Sequence, residues 1–170
     1  MLSLDLVDKG IVTNQIVLTV GYDKESLADG HYTGEVVCDH YGRKIPKHAH
    51  GTQNLGRHTS STRKIIDATM ALFDRIIDKN LLARRLNLTA CNVIREEDIP
   101  EAESYEQISL FDMAEAANAD NNAEEKERAL QEAMLLIKHK YGKNAILKGT
   151  NYTEGATARE RNRSIGGHKA

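Results

Sequence analysis

Tryptophan is absent from this 170-residue chain, phenylalanine occurs twice and aromatic residues make up 5% of it, so a large aromatic core is excluded. Proline also occurs only twice, and the two cysteines, Cys38 and Cys91, stand far apart with no CxxC pair and no secretory leader. A disulfide framework and a zinc ribbon are therefore excluded, and a soluble protein of a reducing cytoplasm is expected. No stretch approaches the ~20 apolar residues of a membrane span, so no membrane partner is expected. One compact domain with appendages is the economical reading of this length.

What is present is an uneven distribution of charge. The formal net charge of −2 conceals a basic zone, 1–95, at +3, an acidic zone, 96–132, at −11, and a basic zone, 133–170, at +6. A basic body, an acidic connector and a basic tail suit a protein that meets polyanions at two places while the connector stays clear of them. Pro100 and the polar run from Asn118 to Asn122 favour an extended connector.

Periodicity supplies the elements. Leu2, Leu4, Leu6 and Val7 followed by Gly10 resemble the last turns of a helix and its terminator. Ile11–Tyr22 alternates as a strand, Tyr32–His40 is expected to be a second strand, and Pro46–Arg57 reads as polar and irregular. Ser60 or Ser61 caps a helix carrying Ile65, Ile66, Leu72, Phe73 and Ile76 at helical spacing, and Ala83–Ile94 is a third strand. Helix, strand, strand, helix, strand predicts an α+β fold, an antiparallel sheet with helices packed on one face. Beyond the connector, Glu124–Tyr141 is a helix with Leu130, Ala133, Met134, Ile137 and Tyr141 on one stripe, and 143–170 is a basic, loop-rich tail.

Inside the acidic connector stands Gln107-Ile108-Ser109-Leu110-Phe111, two large apolar side chains in a segment with nothing of its own to bury them against. Such a pair is bait for a partner's apolar cleft. The pentapeptide resembles the sliding-clamp binding motif of bacterial replication and repair proteins at every position. In that motif Gln107 would anchor by amide hydrogen bonds while Leu110 and Phe111 fill the cleft.

Longer strings are similar to one family. Tyr41-Gly42-Arg43-Lys44-Ile45-Pro46-Lys47-His48-Ala49-His50-Gly51-Thr52, the helix after Ser61, Thr157-Ala158-Arg159-Glu160-Arg161-Asn162 and Ile165-Gly166-Gly167-His168 resemble the C-terminal part of Y-family lesion-bypass DNA polymerases, nearest the UmuC/ImpB/MucB/SamB branch of Gram-positive bacteria. The resemblance covers essentially the whole chain. It implies that 1–94 is a little-finger domain of β-α-β-β-α-β type, lacking its first strand and most of its first helix. It further implies that 95–123 is a linker bearing the clamp motif at 107–111, and that 124–170 is a C-terminal helix and basic tail. No stretch matches the family's catalytic Ser-Asp-Glu segment, so no polymerisation and no cofactor are expected of this fragment; the parent family uses Mg in the absent palm.

The implied role is to grip the template-primer duplex of a translesion polymerase in the DNA-damage or SOS response, damaged DNA included. Non-specific grip needs cations and small hydrogen-bond donors on an exposed surface. Arg84 and Arg85 resemble a basic pair that family members aim at the template backbone; since successive strand side chains alternate, one of the two is expected to reach a phosphate. Lys44, Lys47, His50, Thr52, Arg57, Thr59 and Ser61, with His48 and Asn54 among them, form a second candidate patch ahead of the helix start. The tail could meet DNA again or a recombinase filament. A homodimer is expected from Ile16 and Leu18 on a sheet left partly uncovered. Two alternatives stand beside this one: a small metal-dependent nuclease or phosphoesterase built on Asp39, His40, His48 and His50, and a clamp-binding adaptor that does not touch DNA. The histidines lack any metal-ligand signature spacing, so no metal site is expected.

Overall fold

The computed structural model describes residues 2–28, 30–100, 114–165 and 168–169. The chain divides into two compact units, Met1–Met113 and Ala114–Ala170.

In the first unit, helix α1 (Leu2–Asp8) turns at Gly10, whose φ of 62° is open to a residue without Cβ, into the long strand β1 (Ile11–Tyr22). A 3₁₀ turn at Lys24–Leu27, capped by the Asp23 side chain, leads to the short strands β2 (Val36–Cys38) and β3 (Lys44–Pro46), which pair only with each other. Strand β4 (Ala49–Thr59), helix α2 (Thr62–Ile76) and strand β5 (Ala83–Arg95) complete the unit. The main sheet is antiparallel in the order β4-β1-β5.

The α+β class is the one expected, with one reassignment. The second strand of the main sheet is β4, in the stretch read as irregular, whereas only Val36–Cys38 of the expected Tyr32–His40 strand is extended, in a separate two-stranded ribbon. With β4 in that place, helix, strand, strand, helix, strand is the observed order.

Alternation along β1 divides the sheet. Ile16, Leu18, Val20 and Tyr22 point to one side, where α2 lies, and are buried. Leu18, Val20, Tyr22 and Leu72 form the centre of the core, flanked by Ala49, Phe73, Ile76, Leu81 and Leu88. The Tyr22 hydroxyl accepts from the Asp78 N–H at 2.9 Å, so this buried aromatic has its polar tip satisfied at the helix end. Close approach of α2 to β4 depends on Gly51: a Cβ there would stand 2.8 Å from Leu72 Cδ1 and 2.9 Å from Ile76 Cγ2. Helix α1 adds Leu4, Leu6 and Val7 to the buried set and is tied to the start of α2 by the Thr62 hydroxyl, which donates to Ser3 Oγ at 2.9 Å. Ile16 and Leu18, expected on an incompletely covered sheet, are instead fully enclosed; Leu82, Leu86 and Val93, and on α2 Ile66 and Met70, are among the apolar side chains that stay exposed.

In the second unit, helix α3 runs from Ala114 to Tyr141, beginning well before the expected Glu124. Its last turn carries Lys138, His139 and Lys140, which suit the negative end of the helix dipole, and Gly142 donates to the Lys138 carbonyl at 2.9 Å. Leu130, expected on a buried stripe, is exposed, while Gln131 is buried. The tail holds itself together: Asn144 donates to the Arg159 carbonyl at 3.2 Å, Asn162 donates to Asn144 Oδ1 at 2.8 Å, and Arg159 lies over the Tyr152 ring. A one-turn helix α4 (Ala158–Arg161) and the two-residue strands β6 (Ser164–Ile165) and β7 (His168–Lys169) follow.

Candidate nucleic-acid interface

The side of the main sheet away from α2 is built from the other parity of the same three strands. Register places His50, Thr19 and Asn87 in one row, Thr52, Val17 and Thr89 in the next, Asn54, Gln15 and Cys91 in the third, and Arg85 opposite Gly21 at one end. On β4, His50, Thr52 and Asn54 are exposed while Ala49, Gly51, Gln53 and Leu55 are half-buried beneath α2. A hydrophobic sheet face needs a covering layer; apart from Val17 and Cys91 this one carries amides, hydroxyls and an imidazole, and suits an aqueous or polyanionic neighbour.

Several of these groups are fixed by one another. Gln15 donates to Asn54 Oδ1 at 2.9 Å, and Thr19 Oγ1 is 3.0 Å from His50 Nδ1, so side chains of β1 and β4 are held across the pair. Arg75 of α2 donates to Gln53 Oε1 at 3.0 Å and to the Thr52 carbonyl at 2.9 Å, which ties the helix to edge strand β4. At the far end, the buried Thr13 hydroxyl donates to the Cys91 and Gln15 carbonyls where the β1–β4 register shifts. The result is a braced, largely uncharged donor surface with one cation, Arg85, at its rim.

No family model and no solved structure matches the chain. Two curated proteins do. The candidate UV-damage repair protein UvrX of Bacillus subtilis is 30% identical over 159 residues, which cover 94% of this chain and 30% of that protein. A protein named DNA polymerase IV 2, of Halalkalibacterium halodurans, is 28% identical over 125 residues, 74% of this chain and 26% of the relative. The chain is a distant homologue of the Y-family lesion-bypass polymerases. It spans less than a third of the length of either relative. The observed helices and antiparallel sheet are consistent with a Y-family little-finger-like domain.

Against that Y-family background the residues singled out in the sequence separate into groups. Arg85, His50 and Thr52 come together on the helix-free side of the sheet. Arg84, its neighbour on β5, is engaged by Asp23 at 3.3 Å. Lys44 and Lys47 belong to the β2–β3 ribbon and its exit, where Lys47 Nζ lies 2.6 Å from Glu35 Oε2; this hydrogen bond raises the lysine's pKa above its ordinary value. Arg57 is half-buried at the bulged end of β4, past Gly56. Thr59 and Ser61 do not join the surface. Both are buried, the Ser61 N–H donates to Thr59 Oγ1 at 3.0 Å, and Ser61 Oγ accepts from the Lys64 N–H at 3.3 Å, so the start of α2 is satisfied from within.

Gln15, Thr19, Asn87 and Thr89 were not singled out in the sequence. Their signal was available: each stands one residue from the inward apolar positions of β1 or β5. The histidines do not converge. His50 pairs with Thr19, His48 is an edge-on neighbour of His50 with ring centroids 6.4 Å apart, His58 Nε2 lies 3.2 Å from the Asn92 carbonyl, and Asp39 is taken by Arg43. Among the described residues no group of three or more His, Cys, Asp or Glu is placed to hold a metal ion, and no helix is long and apolar enough to cross a membrane. The pentapeptide Gln107–Phe111 lies outside the described residues.

Proposed function

We propose that this chain is a DNA-holding and clamp-tethering module of the kind found in translesion polymerases, which grips template-primer duplex through its sheet and reaches the sliding clamp through Gln107–Phe111. The observation that carries the DNA part is the helix-free side of the sheet, where His50, Thr52, Asn54, Gln15, Thr19, Asn87 and Thr89 present short donors and acceptors with Arg85 at one end. A surface of this chemistry can bond phosphate and sugar oxygens, contacts that carry no sequence information, which is what a polymerase tolerant of damaged bases requires. The relation to a UV-damage repair protein and to DNA polymerase IV supports a place in the DNA-damage response.

The tethering part rests on the pentapeptide. Burying Leu110 and Phe111 contributes roughly 1.5–3 kcal/mol each before ordering costs, enough for a weak tether. In this reading the chain has no catalysis of its own, and nucleotide and metal belong to other domains of such a polymerase. Duplex binding measured by anisotropy, with clamp binding measured in parallel, tests both parts: L110A/F111A is expected to abolish clamp binding and leave duplex affinity unchanged. Clamp binding that survives the double substitution defeats the tether, and the absence of salt-dependent duplex binding defeats the grip.

A further inference from the structure

The tip of the β2–β3 ribbon is more tightly built than a solvent turn requires. Asp39 Oδ1 accepts from the Tyr41 and Arg43 N–H groups, both at 2.9 Å, while Asp39 Oδ2 takes Arg43 Nε at 2.7 Å and its terminal nitrogen at 2.6 Å. The backbone closes the same loop, Asp39 N–H to the Arg43 carbonyl and Gly42 N–H to the Asp39 carbonyl, each at 2.9 Å. The product of this bracing is a bare aromatic: Tyr41 is 79% exposed. Arg43 lies over its ring at 5.0 Å and His40 meets it edge-on at 5.4 Å.

A large ring costs little conformational entropy to hold still and gains most by stacking. Arg43 backs the ring but is neutralised by Asp39, so the tip is not a phosphate clamp. Every base has a π face, and an exposed aromatic stacks on unpaired bases with little regard to sequence. We infer that Tyr41 is a stacking platform for an unpaired nucleobase, carried by the ribbon of a module whose sheet holds the adjoining duplex; the inference rests on the DNA-binding reading above. Its contribution is therefore expected in the intercept of a salt titration and not in its slope, unlike that of a phosphate-contacting arginine.

The chain has no tryptophan, so Tyr41→Trp supplies a single tryptophan at the tip, excited selectively over the remaining tyrosines. The full chain is titrated with a duplex bearing a single-stranded overhang and with a blunt duplex of equal length. Wild type and Y41W are expected to prefer the overhang, with Y41W emission quenched on binding. Y41A is expected to lose about tenfold or more on the overhang and little on the blunt duplex, Y41F to behave as wild type, and D39A to fall between them. Wild-type-like overhang binding by Y41A, or Y41W emission unmoved by bound DNA, overturns the inference while leaving duplex grip intact. A wild-type chain that binds neither DNA overturns both.

Discussion

Arg84 and Arg85 are adjacent on β5 and carry the same charge, yet they should respond differently to removal. Arg85 is exposed, stands opposite Gly21 on the helix-free side of the sheet, and is engaged by no ion pair among the described residues. Arg84 lies 3.3 Å from the Asp23 carboxylate. A cation that neutralises one phosphate contributes about 0.9 to the slope of log affinity against log salt, and a hydrogen bond to a charged group contributes roughly 1.5–3 kcal/mol. Arg85→Ala should therefore weaken duplex binding by about tenfold to a hundredfold at low salt and make the slope about 0.9 less negative, alike for all sequences. Arg84→Ala should leave the slope where it is, because that guanidinium is already committed. The assay is fluorescence anisotropy of a labelled duplex across roughly 50–200 mM salt, the range in which such slopes are steep. Equal effects of the two substitutions on the slope, or none from either, would refute the assignment of the helix-free side as the phosphate-facing surface.

Other consequences concern the fold beneath that surface and the ribbon beside it. Leu72 is fully buried against Leu18, Val20 and Tyr22, and Leu72→Ala should lower unfolding free energy by about 2–5 kcal/mol, read as a reduced urea midpoint at unchanged m. Gly51→Val should lower it by about 1–3 kcal/mol through overpacking against Leu72 and Ile76, while Thr52→Val, next along the strand but on the open side, should leave the midpoint nearly unmoved. The Arg43 side chain, followed by the Arg43 N–H, holds the Asp39 carboxyl below the usual carboxylate range. Its folded pKa is depressed, so the lock is complete above the unfolded value of about 3.9 and is lost as pH falls through the lower folded value; mobility of the ring in Y41W, followed by fluorescence anisotropy, should rise there and not between pH 5 and 8.

How far the sequence spoke depended on what each element buries. Strand β1 was legible because Ile16, Leu18, Val20 and Tyr22 alternate against smaller or polar residues, and α2 because Ser61 caps a helix whose Ile65 and Leu72 face the sheet. Strand β4 was not. Its inward positions are Ala49, Gly51, Gln53 and Leu55, of which the first three give almost no hydrophobic signal. The pattern is weak because α2 lies so close that only small side chains fit at its centre and because Arg75 answers Gln53 by a hydrogen bond, not by apolar contact. The ribbon misled in the opposite sense, since Tyr32–His40 reads as a full strand and only Val36–Cys38 is extended, paired with Lys44–Pro46.

The candidate surface was half visible for a related reason. Charge drew attention to Lys44, Lys47, Arg57 and the two adjacent arginines, but a cation marks a binding site only while no carboxylate holds it. Glu35 and Asp23 withdraw Lys47 and Arg84, pairings that join residues distant in sequence. The uncharged donors Gln15, Thr19, Asn87 and Thr89 gain meaning only through register, which aligns them with His50, Thr52 and Asn54 across three strands. Strand β4 joins the two problems: the small and polar inward residues that hid it from a hydrophobic reading admit α2 on one side, and that helix pins the strand whose opposite parity supplies the outer edge of the donor surface. A substitution that lifts α2 off β4 should therefore weaken duplex binding as well as stability, whereas loss of a donor such as Thr52 should weaken binding alone.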